Sequence, residues 1–455
     1  MTETISAKPR TARVSSVEFW RLFFTVFVCI YHLEIFFYSQ KKVLSGGTAA
    51  VEFFFILAGF TMAMSAKRKQ EGRLERMTPK EASAQALDYV VKKLKAIYPI
   101  LTVVLLFGFV LYPLLGVQSA SAMFGFGKQP SILQSLLNSE WEWLMMIGTP
   151  FGYNNGATQI VPLWFLTPLL VVGYLYTYAL NRHYDFTMFA APAIGILGYI
   201  FFTLNSSMMI DFYVKMGFLN AGSVHAIAEM ALGISMFRLY DHLSKKDFSK
   251  FWQIVITIIE LFAIYRILAL TINQGVSMDN FRKIPYLLVI VLTSFLNVGY
   301  VARTLNRPIW RVLGSITLPM YLCHVQLIQV YLQGLVWVKT LLIRNLYTSM
   351  SAGSWLMFLS KTGGFDENFR SVPMSWRDAL LFVLLTVAVS LIIMGVVALS
   401  KRGIKSIKTW ATEREAQRAL LNVPPPMPWL DDPADEDDAA ADAPSDAGSD
   451  ETSAE

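Results

Sequence analysis

Long apolar runs separated by short polar connections are the dominant pattern of this chain. Ten of these runs approach or exceed the length of about 20 predominantly apolar residues that a helix needs to cross a bilayer. They lie at residues 18–39, 48–66, 97–117, 160–180, 186–204, 222–239, 251–270, 284–301, 311–335 and 376–400. The pattern predicts an all-α, polytopic membrane protein with about ten transmembrane helices.

Composition supports this class. Of the 455 residues, 54% are hydrophobic and 16% are charged, whereas a soluble protein carries about 25% charged residues. The two cysteines, Cys29 and Cys323, both lie in apolar runs, which excludes a disulfide framework and a cysteine zinc cluster. We predict no metal site and find no nucleic-acid-binding motif.

The distribution of basic residues predicts the orientation. With ten spans, the segments on the N-terminal side of the membrane contain 26 of the 39 Lys and Arg residues, and the opposite segments contain 11. Cytoplasmic connections are the ones enriched in Lys and Arg, so both termini are predicted to be cytoplasmic. The basic first segment has no cleavage site and predicts an uncleaved multi-pass protein of the inner or plasma membrane, surrounded by lipid.

Three regions follow from this pattern. Residues 1–17 form a basic cytoplasmic tail, residues 18–400 form the membrane domain, and residues 401–455 form a cytoplasmic C-terminal region. From about residue 424 the chain becomes proline-rich and then acidic, with 11 of the 33 acidic residues and no Lys or Arg. Such a composition predicts a disordered tail.

The first span contains two polar residues that share one helix face. Arg21 and His32 are eleven positions apart, which places them on the same side of a helix and roughly 16 Å apart along its axis. Ionisable groups inside a bilayer are costly and are therefore functional candidates. A snorkelling arginine and a histidine packed between helices would give the same pattern.

The second span begins with a single charge, Glu52. A short polar turn precedes it, so the first two spans should be antiparallel neighbours, with Glu52 and His32 at similar depth near the outer surface. A carboxylate that accepts the proton of one imidazole nitrogen leaves the other nitrogen as a base. We therefore predict a pair in which Glu52 orients His32.

Three further polar residues lie within later spans. His225 and Glu229 are four apart and share a face. That spacing suits metal ligands, but two residues do not make a metal site. We predict a buried His–Glu pair that lines a cavity. His324 follows Tyr321 closely and either faces the same cavity as His32 or is a hydrogen-bonded core residue.

Four stretches together carry a resemblance to a known family. They are the Arg-x10-His helix of residues 21–32, the GGTAAVEFFFILAGF entry of residues 46–60, the KKLKAIYP stretch of residues 92–99 and the SITLPMYLCHV stretch of residues 315–325. This combination resembles the acyltransferase-3 family of integral membrane O-acyltransferases, which are mostly bacterial. The chain departs from the family in having Ala58 where Ser is common, and in lacking a Glu near Trp164.

The resemblance implies an activity. The expected enzyme moves an acyl group, in the simplest case acetyl, from cytoplasmic acyl-CoA (acetyl-CoA) to a hydroxyl of an extracytoplasmic glycan, a lipid-linked sugar or a related cell-surface acceptor. In this interpretation His32 is the general base or a transient acyl carrier, and Glu52 orients it. Acyl-CoA is the donor substrate, and no bound cofactor is expected.

The resemblance also suggests the binding residues. Lys92 and Lys95 stand where the family carries a paired-cation R-x-x-R motif, and with Arg21 they are expected to hold the phosphates of the donor. Topogenic charge alone would also account for both lysines. The candidate acceptor cavity comprises His225, Glu229, His324 and Trp164, and the outer segment 336–375 is predicted to form a partial lid.

Two other classes remain as alternatives. A transporter or flippase of a glycan or lipid would also carry charges within its spans, although the chain has no inverted repeat of broken helices. A non-catalytic membrane scaffold would have no evident use for charges within its spans. Hydrolysis of acyl-CoA that depends on His32 would separate the enzyme from both alternatives.

The predicted orientation can be tested with a topology reporter. Because basic residues are concentrated on the side of the termini, we expect a reporter fused after Ser400 to be active only as a cytoplasmic reporter. A fusion after Gly47, in the first predicted outer connection, should give the opposite signal. A periplasmic signal from the Ser400 fusion would contradict the predicted topology.

Overall fold

The computed structural model describes residues 14–35, 44, 46–71, 73, 75–115, 160–205, 215–216, 219–273, 278–346 and 374–421. Within these residues the regular secondary structure is helical apart from one short antiparallel strand pair. The α-helices are α1 Ser15–Glu34, α2 Ala49–Gln70, α3 Pro79–Leu115, α4 Leu166–Arg182, α5 Tyr184–Leu204, α6 Ala221–Leu243, α7 Lys250–Asn273, α8 Ile284–Leu296, α9 Tyr300–Leu305, α10 Pro308–Leu313, α11 Thr317–Leu346 and α12 Trp376–Leu421. Three 3₁₀ helices, Val161–Phe165, Met278–Lys283 and Gly314–Ile316, join them, and the strands are β1 Lys215–Met216 and β2 Leu219–Asn220.

The all-α membrane class is confirmed. Eight helical stretches of the described part are long and apolar enough to cross a membrane, and each coincides with one of the ten predicted spans. The other two predicted spans fall on α6 and α8. Helix α6 carries charge along its length, and α8 has 13 residues, which span about 20 Å against a hydrocarbon core of about 30 Å.

Helix α3 begins well before the predicted span. The sequence suggested a span from about residue 97, but the helix runs unbroken from Pro79 to Leu115. A capping box starts it, because the Thr78 backbone N–H donates to the Glu81 carboxylate at 2.8 Å while the Thr78 hydroxyl accepts from the Glu81 N–H at 3.3 Å. This reciprocal arrangement is readable in the sequence as Thr-x-x-Glu. The basic stretch that contains Lys92 is therefore helical and continuous with the span.

Helix α6 packs closely against both α2 and α5 through small residues. A Cβ at Gly59 of α2 would overlap the backbone carbonyl of Met230, and one at Gly233 of α6 would overlap the carbonyl of Ile56. On the other side, a Cβ at Gly198 of α5 would lie 2.5 Å from the Cβ of Ala228. Helices in a membrane gain stability by such close approach, since lipid offers no hydrophobic driving force between them.

The beginning of α1 is anchored to the segment before α11. Glu18 is buried, and a Cβ at Gly314 would overlap its carboxylate. Arg311 of α10 donates from Nε to the hydroxyl of Ser15 at 3.1 Å. Near the middle of α1, the ring of Phe24 stacks on that of Phe53 of α2 at 4.4 Å. Helix α1 is thus held between α2 and the α10–α11 region.

Several sequence predictions fall on residues outside the described ranges. They are the N-terminal tail up to residue 13, residues 347–373 of the predicted lid and the acidic tail. By contacts, residues 1–398 and residues 399–455 form two compact units. In the second unit the described residues continue α12, and the side chains of Ile404, Ile407 and Trp410 are exposed.

Substitution of Gly233 tests the packing of α6. Gly233→Val should lower the thermal midpoint of the detergent-solubilised protein, because its side chain would overlap the α2 backbone and separate two helices. The measurement is a fluorescence-monitored melt. Gly395→Val is the matched control, since a Cβ at Gly395 in α12 meets no atom within 4 Å. Equal midpoints for the two variants would show that the close approach of α2 and α6 contributes nothing measurable.

Candidate active site

Two histidines from distant parts of the chain meet inside the helical bundle. His32 Nδ1, near the end of α1, lies 3.0 Å from His324 Nε2 in α11. The two rings are 4.9 Å apart between centroids. His324 is fully buried, whereas His32 is partly exposed. The structure thus brings these two predicted site residues together, and the contact also fits the alternative of a core histidine that is hydrogen-bonded to a neighbouring helix.

Backbone carbonyls determine which nitrogen of each ring carries the proton. His324 Nδ1 lies 2.7 Å from the carbonyl of Tyr321, and a carbonyl only accepts, so this nitrogen donates. His324 Nε2 then holds a lone pair that accepts from His32 Nδ1–H. That same proton points at the carbonyl of Val28, 3.0 Å away. In the neutral pair, His32 Nε2 is consequently the nitrogen with the basic lone pair.

The segment around Trp164 supports this histidine pair. The Tyr321 hydroxyl donates to the carbonyl of Pro162 at 2.8 Å, and the Tyr321 ring contacts that of Phe165 with centroids 5.7 Å apart. Trp164 is buried in the same 3₁₀ helix. Trp164 therefore lies between the two residues that contact Tyr321, and its predicted place in an acceptor cavity stays a prediction.

The predicted hydrogen bond between His32 and Glu52 is absent. Neither carboxylate oxygen of Glu52 has a hydrogen-bond partner in the described part of the chain, although the side chain is fully buried. The reason is rotational: Glu52 lies on the same face of α2 as Ile56 and Gly59, and this face packs against α6. The sequence prediction was based on the depth of Glu52 in the membrane. It did not include the direction in which the side chain leaves the helix.

Glu52 instead belongs to a second polar centre, which we call the α6 polar cluster: Glu52, Tyr199, His225, Glu229 and Lys283. His225 Nδ1 lies 2.7 Å from Glu229 Oε1, to which the Tyr199 hydroxyl also donates at 2.9 Å. The predicted His225–Glu229 pair is thus formed and fully buried. Buried Lys283 has the largest favourable electrostatic effect on Glu52, whose other charged neighbours are Glu229 and His225.

Arg21 is held at the opposite end of α1. Its Nη1 donates to both oxygens of Glu18 at 3.0 Å, and its side chain remains 31% exposed. A guanidinium has five N–H donors, so this ion pair leaves several that can bind an anion. Arg21 and His32 share a helix and lie roughly 16 Å apart along it.

Lys92 and Lys95 are exposed on α3 and share a face, as predicted. The Lys92 ammonium forms an ion pair with Asp88 at 2.6 Å. Lys69, in the last turn of α2, lies within electrostatic range of both Asp88 and Lys92. The ends of α2 and α3 therefore form one basic region, and Lys69 is a member that sequence reasoning did not single out.

Three other residues of these centres were also missed. Glu18 could have been recognised, because its spacing of three from Arg21 is that of a helical ion pair. Tyr199 and Lys283 reach the α6 polar cluster from other parts of the chain, and no local pattern marks them. No group of three potential metal ligands occurs among the described residues.

Comparison with known proteins identifies the family. A family model described as an acyltransferase domain matches residues 14–395, a range that contains both polar centres and the basic region of α3. Comparisons with curated proteins and with solved structures give no significant match. The match covers most of the chain, and the chain therefore belongs to the acyltransferase-3 family as a multi-pass membrane acyltransferase.

Proposed function

We propose that this protein is a membrane O-acyltransferase that carries an acyl group, in the simplest case acetyl, from cytoplasmic acyl-CoA to an extracytoplasmic hydroxyl. The acceptor is a glycan or a related cell-surface molecule. The observation that carries the proposal is the hydrogen-bonded pair of His32 and His324, in which the Nδ1–H groups of both rings face acceptors. This arrangement directs the lone pair of His32 Nε2 away from its neighbour, as a general base requires.

In the proposed reaction His32 Nε2 removes the proton of the acceptor hydroxyl. The hydroxyl oxygen attacks the thioester carbonyl, the carbon–sulfur bond breaks, and the thiolate leaves and takes up a proton. As His32 becomes an imidazolium, its Nδ1–H···Nε2 hydrogen bond to His324 becomes charge-assisted and strengthens. The carbonyl of Tyr321 keeps His324 in the tautomer that accepts this bond. His324 thus takes the orienting role that the sequence suggested for Glu52.

The donor would approach from the other end of α1. Phosphates bound by Arg21, Lys92 and Lys95 would leave the thioester roughly 16 Å to extend into the membrane before it reaches His32. A long, flexible acyl carrier satisfies this separation. The Arg21–Glu18 ion pair fixes the guanidinium at the mouth of such a path, with part of its surface exposed.

The histidine pair can be tested by substitution. His32→Ala should lower acyl transfer by about 10²–10⁴-fold, the usual contribution of a general base. His324→Leu should also lower it, because the imidazolium of His32 then loses the charge-assisted hydrogen bond to His324, whereas His324→Gln should be milder since its amide oxygen can accept from His32 Nδ1. The double variant should be no worse than His32→Ala alone.

The measurement is the release of CoA thiol by purified protein in proteoliposomes, with acceptor added. His242→Ala, on the exposed last turn of α6, is the matched control and should keep full activity. Near-normal activity of His32→Ala, at normal expression, would remove the catalytic role of this residue and leave it as a packed core histidine.

The donor site is tested by its Michaelis constant. The combined change Lys92→Ala and Lys95→Ala should raise KM for acyl-CoA, with less effect on kcat, because phosphate contacts act on the ground state and the transition state alike. Lys245→Ala is a close control, since Lys245 also pairs with an aspartate four residues before it and is similarly exposed. An unchanged KM in the double variant would show that the two lysines do not bind the donor and contribute only to the orientation of the protein in the membrane.

A further inference from the structure

A polar pocket lies where the connection between α2 and α3 meets the corner between α4 and α5. Its volume is about 240 Å³, the space of several water molecules. Gln70 Nε2 donates to the carbonyl of Leu180 at 2.9 Å across this junction. Arg182 Nη1 donates to the carbonyl of Met77 at 3.1 Å. The lining contains no member of the histidine pair, the α6 polar cluster or the proposed donor site, so the pocket is a separate site.

Asn181 contributes a polar side chain that the described protein does not satisfy. It belongs to the lining of the pocket, although only 2% of its surface is exposed. Neither Nδ2 nor Oδ1 of its amide has a hydrogen-bond partner among the described residues. A buried amide without partners is costly. Because the amide has both N–H donors and an acceptor oxygen, a ligand that satisfies it must bring an acceptor and a donor.

Arginines and a helix end favour a phosphate in this pocket. Arg76 lines it and forms no ion pair within the described part of the chain. Arg182 keeps further N–H donors beside the one that binds a carbonyl, whereas Arg73 is paired with Glu81 at 3.1 Å. Helix α5 begins in the lining at Tyr184, and its first N–H groups have no partner within the helix. Guanidinium groups and helix N-termini are both phosphate ligands.

Two carboxylates in the same lining restrict the ligand further. Glu75 and Asp185 both line the pocket and are exposed. They repel a ligand that carries only negative charge, and they attract a cation with N–H donors. A multiply charged phosphate, such as that of a nucleotide, is therefore disfavoured. A singly charged phosphate that is joined to an ammonium group matches both kinds of lining residue, and the ammonium also supplies the donor that Asn181 Oδ1 lacks.

The surroundings of the pocket favour a lipid as the carrier of these groups. The candidate membrane span of α5 begins at Tyr184, which is itself a lining residue, so the pocket lies at the boundary of the membrane. Phe186 of the lining and Phe189 are 71% and 76% exposed. Their rings lie where the acyl chains of a lipid bound in the pocket would enter the bilayer. By the predicted orientation, this boundary is the cytoplasmic one.

We propose that this pocket binds the phosphoethanolamine head group of a membrane phospholipid. The phosphate is bound by Arg76, Arg182 and the first N–H groups of α5. The ammonium donates to Glu75, Asp185 and the amide oxygen of Asn181. Free phosphoethanolamine has the same chemistry, but it lacks the acyl chains that the exposed rings of α5 would contact. The inference is independent of the proposed function, because it assigns none of these residues to acyl transfer.

Native mass spectrometry of the full chain in detergent tests the head group. The probes are phosphatidylethanolamine, phosphatidylcholine and phosphatidylglycerol with identical acyl chains. One phosphatidylethanolamine molecule should be retained at about fivefold lower lipid concentration than phosphatidylcholine, the ratio that a hydrogen bond of ordinary strength supplies. The reason is that the trimethylammonium of phosphatidylcholine has no N–H. Equal retention of these two lipids would overturn the inference, and so would tighter retention of phosphatidylglycerol, which would indicate a site for anions alone.

Substitutions locate the binding in the pocket. Asn181→Leu should lower the preference for phosphatidylethanolamine several-fold, because leucine is of similar size and has no hydrogen-bonding group. Arg76→Gln should weaken the retention of all three lipids, since they share the phosphate. Arg68→Gln is the matched control, because Arg68 is an exposed arginine in the last turn of α2 that does not line the pocket. A thermal melt confirms that each variant is folded. Unchanged lipid retention in folded Asn181→Leu and Arg76→Gln would overturn the inference.

Competition distinguishes the lipid from soluble ligands. Free phosphoethanolamine at millimolar concentration should not displace the bound lipid, because it gains nothing from the apolar surface of α5. Displacement by it would assign the pocket to a soluble ligand and overturn the lipid assignment. CoA should not displace the lipid either. Displacement by CoA in the wild-type protein, and not in Arg76→Gln, would make the pocket part of the donor site and would also overturn the inference.

Discussion

The cost of an ionisable side chain inside a bilayer is the constraint on which this structure depends. Such a group needs a partner, and a helix supplies one only from its own turn or from a neighbouring helix. His32 and His324 meet this need through each other and through backbone carbonyls. Glu229 meets part of it through His225 and Tyr199. The resulting contacts join α1 to α11 and α5 to α6, so the polar residues also define which helices are neighbours.

Close helix packing places these polar groups. Gly59 and Gly233 let α2 and α6 approach until a Cβ at either position would overlap the backbone of the other helix. Glu52 lies on the same face of α2, within electrostatic range of Glu229. Glycines, which do not stand out in an apolar sequence, therefore determine how close the charged groups of the α6 polar cluster lie.

The two polar centres suit different tasks. In its neutral form the histidine pair has its protons fixed by carbonyls, and it includes a partly exposed ring, which are properties that suit a base. The α6 polar cluster is fully buried apart from Tyr199, and it retains carboxylate oxygens without a hydrogen-bond partner among the described residues. Helix α2 separates the two centres by presenting different faces to α1 and α6.

The sequence by itself determined the membrane class, eight spans that the structure confirms, the helical face shared by Arg21 and His32, and the His225–Glu229 pair. Each of these features depends on contacts within one helix or on the average polarity of a segment, and both can be read from the order of residues in the sequence. Only the tertiary structure decided that His324, and not Glu52, is the partner of His32, and that Lys283 lies near Glu52. The depth of a residue in the membrane can be estimated by counting along the chain. The rotation of one helix against another depends on which small residues meet, and those contacts form only when the helices pack.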